Sequence, residues 1–493
     1  MVRMSGKASV TVLCALIAAA LGYWVGQSGQ SAGVALKHAG FKALSVAMKQ
    51  SADRDAERLV LVENPELIDR ISEGGAFGGE FSRDAAQNMF GRHHHDAIED
   101  VARKTSVHEF GTGSWLVRMP IVNAVFFETS EGLVVVDTGM APAGPGLLKA
   151  IRSVSQQPIH TIIYTHGHVD HAYGTWALME DSPDAQVIAH DALPARFERY
   201  IRLRGSLARY MSQPVDQLPK SREDLVWPTQ TFSDRLELVV GGETFVLQHH
   251  RGETDDQLYV WVPGRKVLAS ADYYQGFLPN AGNGKRVQRY VEDWVVALRE
   301  MAALQPAVVL PAHGDAITDT AIIQENFHVL ADALDHIVQH TLAGLNAALP
   351  REQIFQSVEL PRRLAEHPSL NVQYVTPADI SKMLIKQYAG WWDDVPSNWS
   401  PAPLREQGQK IAELAGGLER LTAEAVALSR SNVRLACHLV DWAWEADPHN
   451  PSVQAAVIAV YKARILHPDS NTQEILEYVR RMGEARRLQL ENN

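Results

Sequence analysis

The chain has 493 residues, of which 46% are hydrophobic, with a formal net charge of −12 and a pI near 5.9. That length exceeds one ordinary domain and implies two or three, each with an apolar core. The acidic balance, with no long basic block, excludes a nucleic-acid backbone as the partner.

The N-terminus reads as a targeting segment. Arg3 and Lys7 precede an uncharged run from Val10 to Val25. The run is short for a spanning helix and suits a signal-peptide core, with Ala18-Ala19-Ala20 as a small-residue cleavage site. An uncleaved anchor through Gly22-Tyr23-Trp24-Val25 is the competing reading. Either way residues 1–26 direct export, to the periplasm or to the inner membrane facing it. Cys14 and Cys437 are the only cysteines, so a cleaved chain forms no intrachain disulfide. Cys437 lies in a helical pattern and reads as a buried structural thiol.

Residues 27–106 read as an N-terminal extension. Val34 to Lys49 has helical spacing, and Gly74 to Gly79 is a glycine-rich loop. Arg92-His93-His94-His95-Asp96 stands far from any strand end and reads as a polar loop near a site entrance, not as a ligand set. From Val107 the pattern turns to strands: Ser114 to Arg118, Ala124 to Glu128 and Leu133 to Asp137. A helix from Pro145 to Val154 leads to the apolar run Thr161 to Thr165. Helices follow over Trp176 to Asp181 and Leu193 to Tyr210, with a short strand, Val187 to His190, between them. Two hairpins are expected, across Gly241-Gly242 and across Pro263-Gly264. Val291 to Leu304 is helical, and Ala307 to Leu310 is a further buried strand. After Ile317 the strands stop. Ile322 to Leu345, Ala378 to Tyr388, Leu404 to Ser429, Val433 to Glu445 and Val453 to Leu466 carry apolar residues at three- and four-residue spacing. The pattern predicts an α/β catalytic domain over residues 107–320, a helical connection over 321–385 and an all-helical domain over 386–493.

The chemistry concentrates in Thr165-His166-Gly167-His168-Val169-Asp170-His171, where the buried strand ends. Gly167 lets the backbone turn tightly. His166 and His168 aim at one point, and Asp170 with His171 serve a second. Imidazole with carboxylate suits zinc, and manganese or iron can occupy such a site. Other strand ends complete it: Glu253 before Leu258-Tyr259-Val260-Trp261, Asp272 after Ala271, and His313 after Pro311-Ala312. The set is enough for two metals with one bridging acid and a bridging water, whose pKa falls to roughly 7. His250 or His249 is the rival to Glu253.

Val136-Asp137-Thr138-Gly139, His166 to His171, Asp272 and Pro311-Ala312-His313-Gly314 resemble the metallo-β-lactamase superfamily in order and spacing. The resemblance implies an αββα sandwich with the metals at one edge. Glu253, in the place where most members carry histidine, is similar to the alkyl sulfatase branch. Tyr388-Ala389-Gly390-Trp391-Trp392, Ala415-Gly416-Gly417 and Ala446-Asp447-Pro448-His449-Asn450 resemble that branch's dimerisation domain. The sequence ends at Asn493 without the sterol-carrier-like domain usual there. Its loop Phe277 to Arg289 also differs from the family's sulfate-binding stretch.

The resulting expectation is an exported, homodimeric hydrolase of a small-molecule sulfuric ester, with two zinc ions and a metal-bound hydroxide. His166, His168 and Glu253 hold one ion. Asp170, His171 and His313 hold the other, and Asp272 bridges. Asp170 counts as catalytic residue as well as ligand. Tyr173, Asn280, Asn283, Lys285, Arg286 and Arg289 are candidate substrate contacts. Alternatives are a lactone, thioester or phosphoester hydrolase, or a non-enzymatic envelope protein that keeps its metal site.

Overall fold

The computed structural model describes residues 55–73 and 82–492. The signal or anchor segment, the helical pattern of residues 34–49 and the loop of residues 74–79 lie outside the described residues. No helix among the described residues is long and apolar enough to cross a membrane.

Strands buried on both faces, such as Gly132–Val136 and Leu258–Val262, dictate a layered fold. The first sheet runs in chain order through β1 (Ser106–Glu109), β2 (Ser114–Arg118), β3 (Asn123–Thr129), β4 (Gly132–Val136), β5 (Ile159–Ile163), β6 (Gln186–His190) and β7 (Gln230–Phe232). The second has the order β12 (Val308–Pro311), β11 (Val267–Ala271), β10 (Leu258–Val262), β9 (Glu243–His249) and β8 (Arg235–Val240). Val125 and Phe127 of β3 face the second sheet with Val134, Val136 and Ile163, where they meet Phe245, Leu247, Val260 and Leu310. Their neighbours Phe126, Leu133, Val135 and Ile162 face outward onto Leu147, Ile151 and Leu178 of the covering helices. The second sheet's outer face, with Tyr259, Trp261 and Leu268, packs on Trp294, Leu298, Phe327, Leu334 and Leu384.

Helices Thr320–Asn346 and Pro377–Ala389, expected as a connection, therefore form the outer layer over the second sheet. The N-terminal extension divides between two cores. Ala85, Phe90 and Val101 join the first sheet's outer core, whereas Val60 and Leu67 join the C-terminal helical core. Two expected helices are broken. Leu193–Arg202 and Arg204–Tyr210 separate at Leu203, and Leu404–Ala415 ends at Gly416 before Leu418–Leu428 begins. Gly416 takes φ 91° and Gly417 φ 113°, a left-handed helix stop that glycine permits. The helices His95–Lys104 and Thr472–Glu491 and the short strands β1 and β7 were not apparent from periodicity.

Topology places the candidate ligands. β4 pairs with β5, and β11 with β12, in parallel, so their C-terminal ends lie side by side. Asp137, His166, Asp272 and His313 follow those four ends. The Leu258 N–H at the start of β10 donates to Thr165 O at 2.9 Å, which brings the loop carrying Glu253 to the same edge.

Candidate metal centre

The structure brings together all seven expected ligands. His166, His168 and Glu253 form one cluster, and Asp170, His171 and His313 a second. His166, His171 and Asp272 form a third group that spans both. His166 Nε2 lies 3.0 Å from His168 Nδ1, which lies 4.0 Å from Glu253 Oε1. In the second cluster Asp170 Oδ2 is 3.7 Å from both His171 Nε2 and His313 Nε2. Asp272 stands between them. Its Oδ2 is 3.9 Å from His166 Nε2, and its Oδ1 is 3.4 Å from His171 Nε2 and 3.3 Å from His313 Nε2. His249 and His250 lie elsewhere. His249 stacks on His190 with ring centroids 3.7 Å apart, and His250 pairs with Glu300 at 2.6 Å.

The donors fit divalent ions. His171 Nε2 and Asp272 Oδ1 are buried without a hydrogen-bond partner, an unfavourable state that a cation relieves. Burial, reinforced by neighbouring positive charge, holds His166 and His168 well below the usual imidazole range, hence neutral and able to ligate. Burial also lowers His171 and His313, but Asp272 and Asp170 outweigh it, so His171 ends well above its usual value and His313 near 9. Burial pushes Glu253 up to about 8 against the pull of Arg289. Without cations, the cluster thus holds protons where metal would compete for the same lone pairs.

Outer partners orient these ligands. Asp137 Oδ2 accepts from His171 Nδ1 at 2.8 Å and from Thr165 Oγ1 at 2.7 Å, and Asp137 Oδ1 accepts the Thr165 N–H at 2.8 Å. His313 Nδ1 bonds Ile121 O at 2.6 Å. Asp256 accepts the Gly167 N–H at 2.8 Å, between the first two histidines. Ile121, Asp137 and Ala271 take positive φ of 78°, 60° and 49°. For a β-branched residue such as Ile121 this is a true outlier. Strained backbone at three points around one cluster is characteristic of a functional site.

A cavity of about 280 Å³ opens on the cluster, reaching His168, Asp170, Glu253, Asp272 and His313. Asn280, Lys285 and Arg286 line it. Asn280 Nδ2 donates to Glu253 Oε1 at 3.0 Å, while its Oδ1 has no partner. Lys285 pairs with Glu477 at 2.8 Å, and the Arg286 guanidinium lies 5.1 Å from the Tyr210 ring. The other three expected contacts do not line this cavity. Tyr173 packs edge-on against Phe90 and Phe197 and faces a separate pocket. Asn283 accepts the Lys285 N–H within its own loop. Arg289 is buried against Glu253, Nη2 to Oε1 at 2.7 Å, and also donates to the Glu253 carbonyl. The histidine tract is not among the metal clusters of the described residues. His94 Nδ1 caps the helix His95–Lys104, and His93 meets the Trp176 ring. Sequence reading missed Asp137 and Thr165 as orienting groups, although Asp137 ends a buried strand in an acid. It also missed Gln275 and Tyr374 on the cavity wall, which carry no local signal.

The fold and the two-cluster site define the class. The Metallo-beta-lactamase superfamily model matches residues 118–313, and the alkyl sulfatase dimerisation model matches residues 351–486. The chain thus joins a metallo-β-lactamase superfamily domain to an alkyl sulfatase dimerisation domain. Among curated relatives, Linear primary-alkylsulfatase of Pseudomonas sp. is 27% identical over 385 residues, which is 73% of this chain and 70% of the relative. Alkyl/aryl-sulfatase of Saccharomyces cerevisiae is 24% identical over 367 residues, 67% of this chain and 56% of the relative. The (R)-specific secondary-alkylsulfatase of Pseudomonas sp. is 24% identical over 375 residues, 68% of this chain and 55% of the relative. The chain therefore spans little more than half the length of the last two. The solved structure of a stereoselective inverting sec-alkylsulfatase from Pseudomonas sp. shares the fold, with TM-score 0.68 and 18% identity over 90% of this chain and 77% of that one.

Proposed function

We propose that the protein is a dinuclear zinc hydrolase that cleaves small sulfuric esters and works as an exported homodimer. The observation that carries this reading is the pair of ligand clusters joined by Asp272, on a chain that also bears the dimerisation domain of alkyl sulfatases. His166, His168 and Glu253 would hold one ion, Asp170, His171 and His313 the other, and Asp272 both. Bound there, the ions would supply Lewis acidity and lower the pKa of a water to roughly 7. Asp137 keeps His171 in one tautomer and orientation. Arg289 and Asn280 hold the Glu253 carboxylate. Arg286, whose Nε is buried without a partner, is the loop cation best placed to receive an anionic head group. The uncharged run from Val10 to Val25 supports export, and fractionation of the expressing cell tests it.

One observation favours a less charged ester as the second reading. Of the three loop cations, Lys285 is engaged by Glu477 and Arg289 by Glu253, which leaves one for the substrate. Parallel assays with decyl sulfate, an acyl lactone and a phosphodiester separate the readings. Sulfate release well above the other two rates is expected. Lactone turnover without sulfate release would contradict the first reading.

A further inference from the structure

The last helix, Thr472–Glu491, has two faces with different duties. Ile475, Val479 and Met482 are buried in the C-terminal helical core. Thr472, Gln473 and Leu476, at helical spacing, line the cavity over the metal centre instead. Leu476 is 46% exposed and stands outside that core, so packing does not explain a leucine there. It shares the cavity with the apolar groups of Phe90, Leu207, Tyr210 and Met211, which come from two other parts of the chain.

This wall is fixed in place. The Thr472 N–H donates to Gln373 O at 2.8 Å, and Asn471 Nδ2 donates to Asp379 Oδ2 at 3.2 Å. Glu477 pairs with Lys285, which lines the same cavity. Two hydrogen bonds and an ion pair thus pin the start of the helix to residues 373–379 and to the loop that carries Lys285. The cavity, at about 280 Å³, is at the small end of ligand sites, which run from roughly 300 to 1,000 Å³. A wall residue at its opening then decides how much of a substrate's hydrocarbon leaves water.

We propose that Leu476 is a specificity-determining residue, the rim on which an unbranched alkyl chain of the substrate lies, so that the helical domain sets chain-length preference in cis. The identity of the anionic head group rests on the sulfuric-ester reading; the apolar rim does not.

The test uses the full-length protein and linear alkanesulfonates from ethane- to decanesulfonate, whose C–S bond is not an ester and does not turn over. Calorimetry gives Kd across the series. Each methylene that reaches the wall tightens binding about fourfold, the equivalent of about 0.8 kcal/mol. In Leu476→Glu the gain from ethane- to decanesulfonate shrinks by at least about tenfold. Leu490→Glu, which charges an equally exposed leucine at the far end of the helix, keeps the whole gain. A flat series in the unaltered protein, or a Leu476→Glu series parallel to it, would overturn the proposal. Failure of the sulfuric-ester reading shows separately, as a normal sulfonate series without turnover of the matching alkyl sulfates.

Discussion

Asp137 is absent from the three candidate ligand clusters, yet its carboxylate receives three hydrogen bonds at 2.7–2.8 Å, one of them from the candidate ligand His171. Removing a partner of this kind typically weakens metal binding by about 10- to 100-fold. Asp137→Asn keeps the shape and removes the charge. Chelator competition should therefore show metal affinity at least about tenfold weaker, with little change in fold. Unchanged affinity would show that His171 is oriented by packing alone. At this scale the clustering of the seven candidate ligands was legible because histidines and acids at the ends of buried strands carry a strong local signal. The roles of Tyr173, Asn283 and Arg289 were not. Tyr173 and Arg289 are decided by neighbours brought in by tertiary folding, as with Arg289 and Glu253, 36 residues apart in sequence, whereas Asn283 is taken up by the Lys285 N–H of its own loop.

At the scale of elements, the metal loop is held against the β4 turn by close backbone contact. The Tyr173 and Gly174 N–H groups donate to Gly139 O at 3.1 and 2.9 Å. A Cβ on Gly174 would meet the Thr138 carbonyl oxygen at 2.1 Å, so side chain and backbone cannot both fit. Gly174→Ala should destabilise the fold by about 1–3 kcal/mol, read by chemical denaturation, and weaken metal binding as the loop shifts. A variant as stable as the parent would refute this account of the loop. Most strand positions and the two hairpins followed from short apolar runs and the turn residues between them. The helix break at Leu203 was not visible, since apolar spacing continues across it and the Arg204–Tyr210 helix keeps Leu207 and Ala208 buried. The break at Gly416-Gly417 was present in the sequence as a glycine pair, but the flanking periodicity masked it.

Across the whole molecule, two features depend on contacts no local pattern encodes. The segment 55–73 docks on the C-terminal helices through Val60 and Leu67, with Arg486 bonded to Glu63 and Lys462 to Asn64. Trp391, Trp392 and Trp399 lie outside the buried core. Trp391 is 74% exposed and Trp399 67%, and their rings stack with centroids 6.2 Å apart. Exposed aromatic clusters of this kind mark interfaces, where single tryptophans contribute 2 kcal/mol or more. If the protein is the proposed homodimer, Trp391→Ser combined with Trp399→Ser should convert it to monomer at micromolar concentration, measured by sedimentation equilibrium. A double variant that remains dimeric would place the interface elsewhere.

The proposed function stands on a two-metal centre built from seven side chains. Elemental analysis of the purified full-length protein, beside Asp272→Ala, tests it most directly. About two divalent ions per chain, mostly zinc, are expected, falling to one or fewer when the acid between the two clusters is removed. A metal-replete preparation holding one ion per chain, or an Asp272→Ala variant that keeps two, would contradict it.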